Sequence, residues 1–496
     1  MVDLADYPLP HPPLGLAYLA AVLEKNDFPI KILDALALGI NRAQKAKKGF
    51  LKVGLSRREI KKAIVDFQPN LVGVWCGSTT HAPDSHAVAA WVKEINPKIL
   101  VVFGGAHATL CPKQVLLDPN VDLIVFGEGE ITLLELVRRL EAKKDIEGLS
   151  GTCQRKGKKV IINRPRKVIK NLDELPFPAR HLLPMAVYLR GQTKTQEFSL
   201  RTPRTAMLTS RGCPMNCYFC SLNALCGRDW RSRSPESVVG EMEHLIKAYG
   251  VREFYMIDDN VTVDKKRVIK ICDLILKKGL DIRWSCPTGT AIWTMDKEIL
   301  TKMRVSGVYR LTFGIESGCP KTLKTIRKPI SLNKVKETIA LANQLGFWTN
   351  STFIIGFPKE TKEDIEETIN WVVDSGLDFA TFYVATPFPG TDLRQEFVEE
   401  GLLKEEERHY MSVNRAGYDT CYFTAEELNR LRDEAFRRFF SAQTKRYLNP
   451  FYSAPHLSRK VKSFEEMIYL GRVVKNALTM WVQSVKNDKF LPFYRG

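Results

Sequence analysis

Three short unbroken apolar runs, residues 71–75, 99–103 and 123–126, each closed by glycine or a small polar residue, limit what the first third of the chain can fold into. Successive residues of a strand face opposite sides of a sheet, so a run that is apolar at every position has to be buried on both faces. Parallel strands with helices above and below them meet that condition. Residues 13–23 read as a helix and residues 30–33 as a short strand ahead of these runs. Residues 1–145 are therefore expected to form a Rossmann-like, doubly wound open sheet. Such sheets hold ligands at the carboxyl ends of their strands. Those ends carry Gly77, Ser78, Thr79 and His81, then Gly104, Gly105, His107 and Thr109, then Gly127 and Glu128. Glycine there lets backbone approach a bulky ligand closely.

Residues 146–200 are basic and proline-dotted, and read as a linker that also packs, with one hairpin within residues 152–162. A second alternation then begins, with strand patterns at residues 205–210, 253–257, 282–285, 310–313, 349–355 and 379–384. Six strands with helices between them predict a partial (β/α)6 barrel over residues 201–400, whose chemistry would lie in the loops after the strands. Residues 401–496 predict a basic helical region. Thr424 and Glu427 form a capping box ahead of Leu428, Leu431, Ala435, Phe436 and Phe439 at helical spacing. Ser463 and Glu466 open another helix, with Met467, Leu470, Val473, Val474, Ala477, Leu478 and Trp481 around its apolar face. The fold class is α/β throughout.

Cys213, Cys217 and Cys220 follow the first barrel strand directly in a C-x3-C-x2-C arrangement. Four-iron clusters usually take four thiolates, so three in a tight group leave one iron open to a non-protein ligand. The competing reading is a zinc knuckle, which needs a fourth Cys or His at comparable spacing. Cys226 is the nearest candidate, and no neighbouring His completes a ring. The other seven cysteines, Cys76, Cys111, Cys153, Cys272, Cys286, Cys319 and Cys421, form no second tight group, which argues against an auxiliary cluster.

Further strand ends carry chemistry. Glu316 sits between glycines in residues 314–318, where its carboxylate can accept hydrogen bonds from vicinal hydroxyls; an ordinary strand-to-helix turn is the plainer alternative. Asp258 and Asp259 end the second barrel strand and suit either a ligand ammonium or a helix cap. Gly356 after the fifth strand, and residues 386–391 after the sixth, are either ligand loops or simple Pro/Gly turns.

The triplet with its flanks, together with the element around Glu316, resembles the radical S-adenosylmethionine (SAM) superfamily. Residues 13–19, 104–109 and 127–130 are similar to the cobalamin-binding domain of its class B branch, which includes methyltransferases and the anaerobic Mg-protoporphyrin ester cyclase. The resemblance spans roughly residues 10–450 and implies three cofactors: a [4Fe-4S] cluster, SAM and cobalamin. It implies that Cys213, Cys217 and Cys220 ligate the cluster, that Glu316 contacts the SAM ribose, and that Asp258 or Asp259 receives the SAM ammonium. Those aspartates stand where many members carry Gly-Gly-Glu. Gly356 would lie on the adenine side, and Ser78, Thr79, Gly104, Gly105, His107, Gly127 and Glu128 would line the cobalamin tail. No D-x-H-x-x-G follows the first strand, so His81 and His107 are the only strand-end imidazoles that could lie below cobalt. Only seven residues precede Pro8, where the family carries a full first strand. The implied reaction is methyl transfer from methylcobalamin to an unactivated carbon through a 5′-deoxyadenosyl radical, with oxidation or cyclisation without methyl transfer as the alternative. A small-molecule, lipid or tetrapyrrole substrate and a reducing partner such as ferredoxin or flavodoxin would accompany it.

The formal charge is +18, and from Arg437 onward twelve Lys/Arg face only Glu465, Glu466 and Asp488, so half of the excess lies in the tail (12 − 3 = 9). Such a tail is either the solvated face of a helical cap or a peripheral contact with anionic membrane. No nucleic-acid module accompanies the charge, which argues against that partner. With no export signal and no apolar run of membrane-spanning length, a cytoplasmic protein is expected, peripheral on the inner membrane surface if the tail binds lipid.

Overall fold

The computed structural model describes residues 2–3, 11–42, 44–45, 50–190, 199–404 and 412–487. The chain divides into two compact units, the first comprising Met1–Arg190 with Ser221–Gly227 and the second Gly191–Cys220 with Arg228–Arg495.

In the first unit, β1 (Leu71–Trp75), β2 (Leu100–Gly104) and β3 (Leu123–Val125) are parallel, and β4 (Thr152–Lys156) and β5 (Lys159–Ile162) continue the same sheet antiparallel, in the order β1-β2-β3-β4-β5. The runs of β2 and β3 are buried as their composition requires, whereas β1, at the edge of the sheet, buries only Val74 and leaves Gly73 and Trp75 exposed. Val74, Val101, Phe103 and Ile124 bury against Ile60 and Ile64 of helix Arg57–Phe67 and Ala89 and Val92 of helix Ala82–Ile95. The opposite face, with Val102, Leu123 and Val125, packs on Leu136 of helix Glu130–Glu141. Helices thus cover both faces. The hairpin of residues 152–162 forms β4 and β5, so the segment read as a linker supplies two strands of this sheet and continues within the first unit to Arg190. Residues 30–33 are not a strand: Ile30 and Ile32 instead pack onto Ala20, Ala21 and Ala179, so the alternation marked a half-buried extended segment without a ladder.

The second unit is built on six parallel strands, β6 (Arg204–Met207), β7 (Glu253–Met256), β8 (Arg283–Thr290), β9 (Val308–Glu316), β10 (Trp348–Ile355) and β11 (Phe379–Val384). Their spatial order follows the chain from β6 to β11, and the two end strands do not pair with each other, so the barrel is open. The core lies between strands and helices: Phe254, Trp284, Leu311, Phe313, Phe353 and Phe382 meet Val238, Ile271, Ile299, Ile339 and Ile369. The inner side is polar, with Thr312 and Asn350 buried, where closed barrels usually carry branched apolar residues.

Helix Ala425–Leu448 opens with the Thr424/Glu427 capping box and buries Leu428, Ala435, Phe436 and Phe439 in the barrel core. Helix Pro450–Lys460 follows, a helix the sequence conceals because Pro455 lies inside it. Helix Phe464–Asn487 is rotated from the expected orientation. Its buried side is Glu466, Tyr469 and Val473, with Leu470 beside them, while Met467 and Val474 face outward; Ala477, Leu478 and Trp481 lie outside the described side chains. Tyr469 wins the inner position because its ring fits between Tyr309 and Trp348, at 5.6 and 5.8 Å.

Candidate active site and cofactor cradles

The cysteine loop leaves β6 at a root fixed by Asp258. This carboxylate is fully buried and accepts the Thr209 amide (2.7 Å) and the Thr209 and Ser210 hydroxyls (2.5 Å each). Burial pushes its pKa up and those donors pull it back. Arg267 secures the same turn by donating to the Thr209 carbonyl at 2.8 Å. Asp259 is exposed and uses one oxygen to accept the Gly212 amide at 3.0 Å. Gly212 has φ +84°, and a β-carbon there would lie 2.5 Å from the Asp229 carbonyl oxygen, so only glycine carries the chain past this point into Cys213.

The two residues between Cys217 and Cys220 anchor the loop. Tyr218 and Phe219 stack near Phe357 at 6.3 and 6.2 Å, the Tyr218 amide donates to the Ile326 carbonyl at 3.2 Å, and its hydroxyl bonds Glu396. The loops after β6, β9 and β10 are thereby packed together. Among the described residues no three His, Cys, Asp or Glu side chains converge on a single-ion site. A lone zinc would need thiolates within about 4 Å of one another, given a Zn–S bond of about 2.3 Å. Thiolates that each hold a different iron are spaced more widely. Cys213, Cys217 and Cys220 are partly exposed and form no disulfide. Cys226 belongs with the first unit, on helix Leu222–Cys226.

Glu316 ends β9 in the left-handed region, φ +71°, and is buried. Its carboxylate accepts the Thr352 hydroxyl at 3.2 Å and faces the Lys328 ammonium at 3.7 Å. Burial raises its pKa, and Lys328 and Thr352 oppose that. Burial also pushes the Cys217 thiol up to about 11; Lys328 pulls it down, while Glu316, Cys220 and Cys213 push it further up. Cys217 therefore shares one electrostatic neighbourhood with the other two cysteines and with the Glu316–Lys328 pair.

Gly356 adopts φ +84° after β10, where a β-carbon would lie 2.9 Å from Leu428. Its amide and that of Phe357 donate to the buried Glu360 carboxylate at 2.6 and 3.3 Å, and the Thr322 hydroxyl donates to the other oxygen at 3.1 Å. Burial pushes Glu360 up to about 7. Deeper in the barrel, the Asn350 side-chain oxygen is buried without a hydrogen-bond partner. An orphaned acceptor on a polar inner wall fits a barrel that receives a polar ligand.

At the carboxyl ends of β1 and β2 the structure brings Ser78, Thr79, Gly104, Gly105 and His107 together. The Thr79 hydroxyl lies 3.1 Å from His107 Nδ1, and Ser78 the same distance from His81 Nδ1. Trp75, 54% exposed, lies across Gly77 and Gly105: β-carbons there would stand 2.1 and 3.0 Å from its ring. Gly105, at φ +100°, would also meet the Cys76 carbonyl oxygen at 2.9 Å. This glycine-floored, aromatic-edged shelf suits a large planar ligand. Gly127 joins it by donating to Thr109 at 3.2 Å, whereas Glu128 is used elsewhere, accepting the Ile169 amide at 2.8 Å. Trp75, Lys328 and Asn350 gave no signal in the sequence, since each lies inside a run that a strand or charged loop explains.

Residues 2–137 match the B12 binding domain and residues 207–372 the Radical SAM superfamily. An uncharacterized methyltransferase of Pyrococcus horikoshii is 34% identical over 437 residues, 86% of this chain and 88% of the relative. The chain belongs to the cobalamin-binding radical SAM enzymes. A radical SAM enzyme of this branch carries a [4Fe-4S] cluster, SAM and cobalamin, and the cysteine loop and the glycine shelf have the chemistry to hold them. The cytidylyl-2-hydroxyethylphosphonate methyltransferase of Streptomyces wedmorensis is 33% identical over 470 residues, covering 88% of each chain. The anaerobic magnesium-protoporphyrin IX monomethyl ester cyclase of Rubrivivax gelatinosus is 29% identical, covering 86% of this chain and 74% of its own. The fold matches the radical SAM methyltransferase TsrM of Kitasatospora setae at TM-score 0.69 and 17% identity, over 95% of this chain and 97% of that one.

Proposed function

We propose that this enzyme is a cobalamin-dependent radical SAM C-methyltransferase acting on an unactivated carbon of a small molecule, with electrons supplied by a ferredoxin or flavodoxin. The observation that carries the site assignment is the shared neighbourhood of Cys217, Glu316 and Lys328 at the carboxyl face of the barrel. When bound, the cluster with SAM supplies a hydrogen-abstracting radical and cobalamin supplies the methyl group. The chain's own residues bind and orient. Cys213, Cys217 and Cys220 hold the cluster. Glu316, facing the Lys328 ammonium, accepts hydrogen bonds from the ribose hydroxyls. Asp259 rather than Asp258 receives the methionine ammonium, because Asp258 is already saturated by three donors. The Gly356 turn, braced by Glu360, borders the adenine. Ser78, Thr79, Gly104, Gly105, His107 and Gly127 line the cobalamin tail, with Glu128 bracing that end through Ile169. The two methyltransferase relatives at 33 and 34% identity favour this reaction.

The cyclase relative supports a second reading, oxidation or ring closure without methyl transfer. Anaerobically reconstituted protein, supplied with reductant and SAM bearing a deuterated methyl group, separates them on candidate substrates. Trideuteromethylated product supports methyl transfer; oxidised or cyclised product without label sinks it.

A further inference from the structure

The helices that follow the barrel cap its amino-terminal end. Asp378, the residue before β11, receives Tyr447 at 2.9 Å and His456 at 2.7 Å and pairs with the fully buried Lys460. Tyr469 packs on Tyr309 and Trp348 at the starts of β9 and β10. Glu465 pairs with Arg201 ahead of β6 at 2.8 Å, and Glu466 with Arg304 at 3.0 Å. These contacts leave the other side of the helices bare. Phe451 is 90% exposed, Leu448 77% and Phe464 71%, and Met467, Ile468 and Val474 are exposed on helix Phe464–Asn487. Single exposed apolar residues are ordinary, but six within 27 residues are not.

The charge on this surface has one sign. Lys445, Arg459 and Lys462 are exposed and enter no ion pair among the described residues, and Lys475 is exposed two turns on from Ile468. Between Lys445 and Lys475 the only acidic residues are Glu465 and Glu466, both committed to barrel arginines. Apolar side chains interleaved with lysine and arginine, and with no acidic residue among them, match an anionic lipid surface: the rings enter the acyl boundary and the cations stay at the headgroups.

We propose that helices Pro450–Lys460 and Phe464–Asn487 dock the enzyme on an anionic membrane through this face. The consequence for substrate is specific. Cys213, Cys217, Cys220 and Glu316 lie at the opposite, carboxyl end of the strands, and the nine residues of β9 separate the two ends by roughly 30 Å. A docked enzyme turns its reaction face away from the bilayer, so its substrate arrives from the aqueous side. The docking does not depend on which reaction the site performs.

Full-length protein is tested by cosedimentation with vesicles of phosphatidylcholine alone and of equal parts phosphatidylcholine and phosphatidylglycerol. Binding to the anionic vesicles that weakens with added salt is expected. Phe451→Ser with Phe464→Ser, and Arg459→Glu with Lys462→Glu, should each reduce partitioning at least tenfold, since each basic residue near the surface is worth about fivefold. Cluster content and SAM cleavage in solution should be unchanged in both pairs. Wild-type protein that stays in the supernatant, or variants that bind as wild type, would overturn the proposal. So would sedimentation velocity showing a dimer that the Phe451/Phe464 pair dissociates, which would give the face to a second copy. A correct docking with a failed methyl-transfer assay would leave the surface assigned and the reaction wrong.

Discussion

Removing the Asp258 carboxylate would strand an amide and two hydroxyls in a buried turn. Asp258→Ala is therefore expected to cost about 3 kcal/mol or more, read as a lowered melting temperature. Asp259→Ala should leave stability within about 1 kcal/mol and weaken SAM binding about tenfold or more, by calorimetry on the reconstituted protein. Equal effects from the two substitutions would dismiss the division of labour between them. Glu360 offers a pH test. Its pKa is held near 7, above the unfolded 4.5, so its contribution is fully present below pH 4.5 and is lost as pH rises through 7. Glu360→Gln keeps an oxygen for the Gly356 and Phe357 amides and a nitrogen for Thr322. That variant should flatten the stability profile between about pH 5 and 8 and melt higher than wild type at pH 8. At this scale the sequence was legible where spacing encodes chemistry, as in Cys213, Cys217 and Cys220. It was silent on Lys328, whose use depends on a turn bringing it back to Glu316 across twelve residues.

The elements carry those residues by packing rather than by hydrogen bonds alone. Phe357 lies under both Tyr218 and Phe219, so Phe357→Ala should lose on the order of 3–5 kcal/mol of local packing. The cysteine loop would then be poorly held, and reconstitution should incorporate less iron although all three thiols remain. Lys460→Met tests the other end of the barrel. It leaves Asp378 buried with one cation fewer, and a loss of about 3–5 kcal/mol is expected by chemical denaturation. The barrel strands stood out in the sequence because apolar runs and glycine stops are local signals. The exposed side of helix Phe464–Asn487 did not: Met467 and Val474 are as apolar as Tyr469, and only the shape of the Tyr309–Trp348 notch decides which side turns inward. Residues 30–33 mislead for the converse reason, since a ladder needs a partner that alternation alone does not supply.

For the whole molecule, two units bring separate cofactor chemistry, and the two should be separable by substitution. Gly105→Val adds a branched side chain at φ +100° against the Cys76 carbonyl oxygen and Trp75. Bound cobalamin, measured by its absorption, should fall sharply while iron content per chain stays near wild type. Parallel loss of both would mean that the units do not fold independently. The open edge between β6 and β11 has a consequence of a different kind. A closed barrel fixes its bore by strand number and shear, so widening it means rebuilding the ladder. Here the curvature of six strands sets the aperture, and a splay of a few degrees per strand changes it without breaking a backbone hydrogen bond. A lineage built on this frame can move between substrates of very different girth by altering the residues beside the gap, while the cysteine loop and its anchors stay as they are.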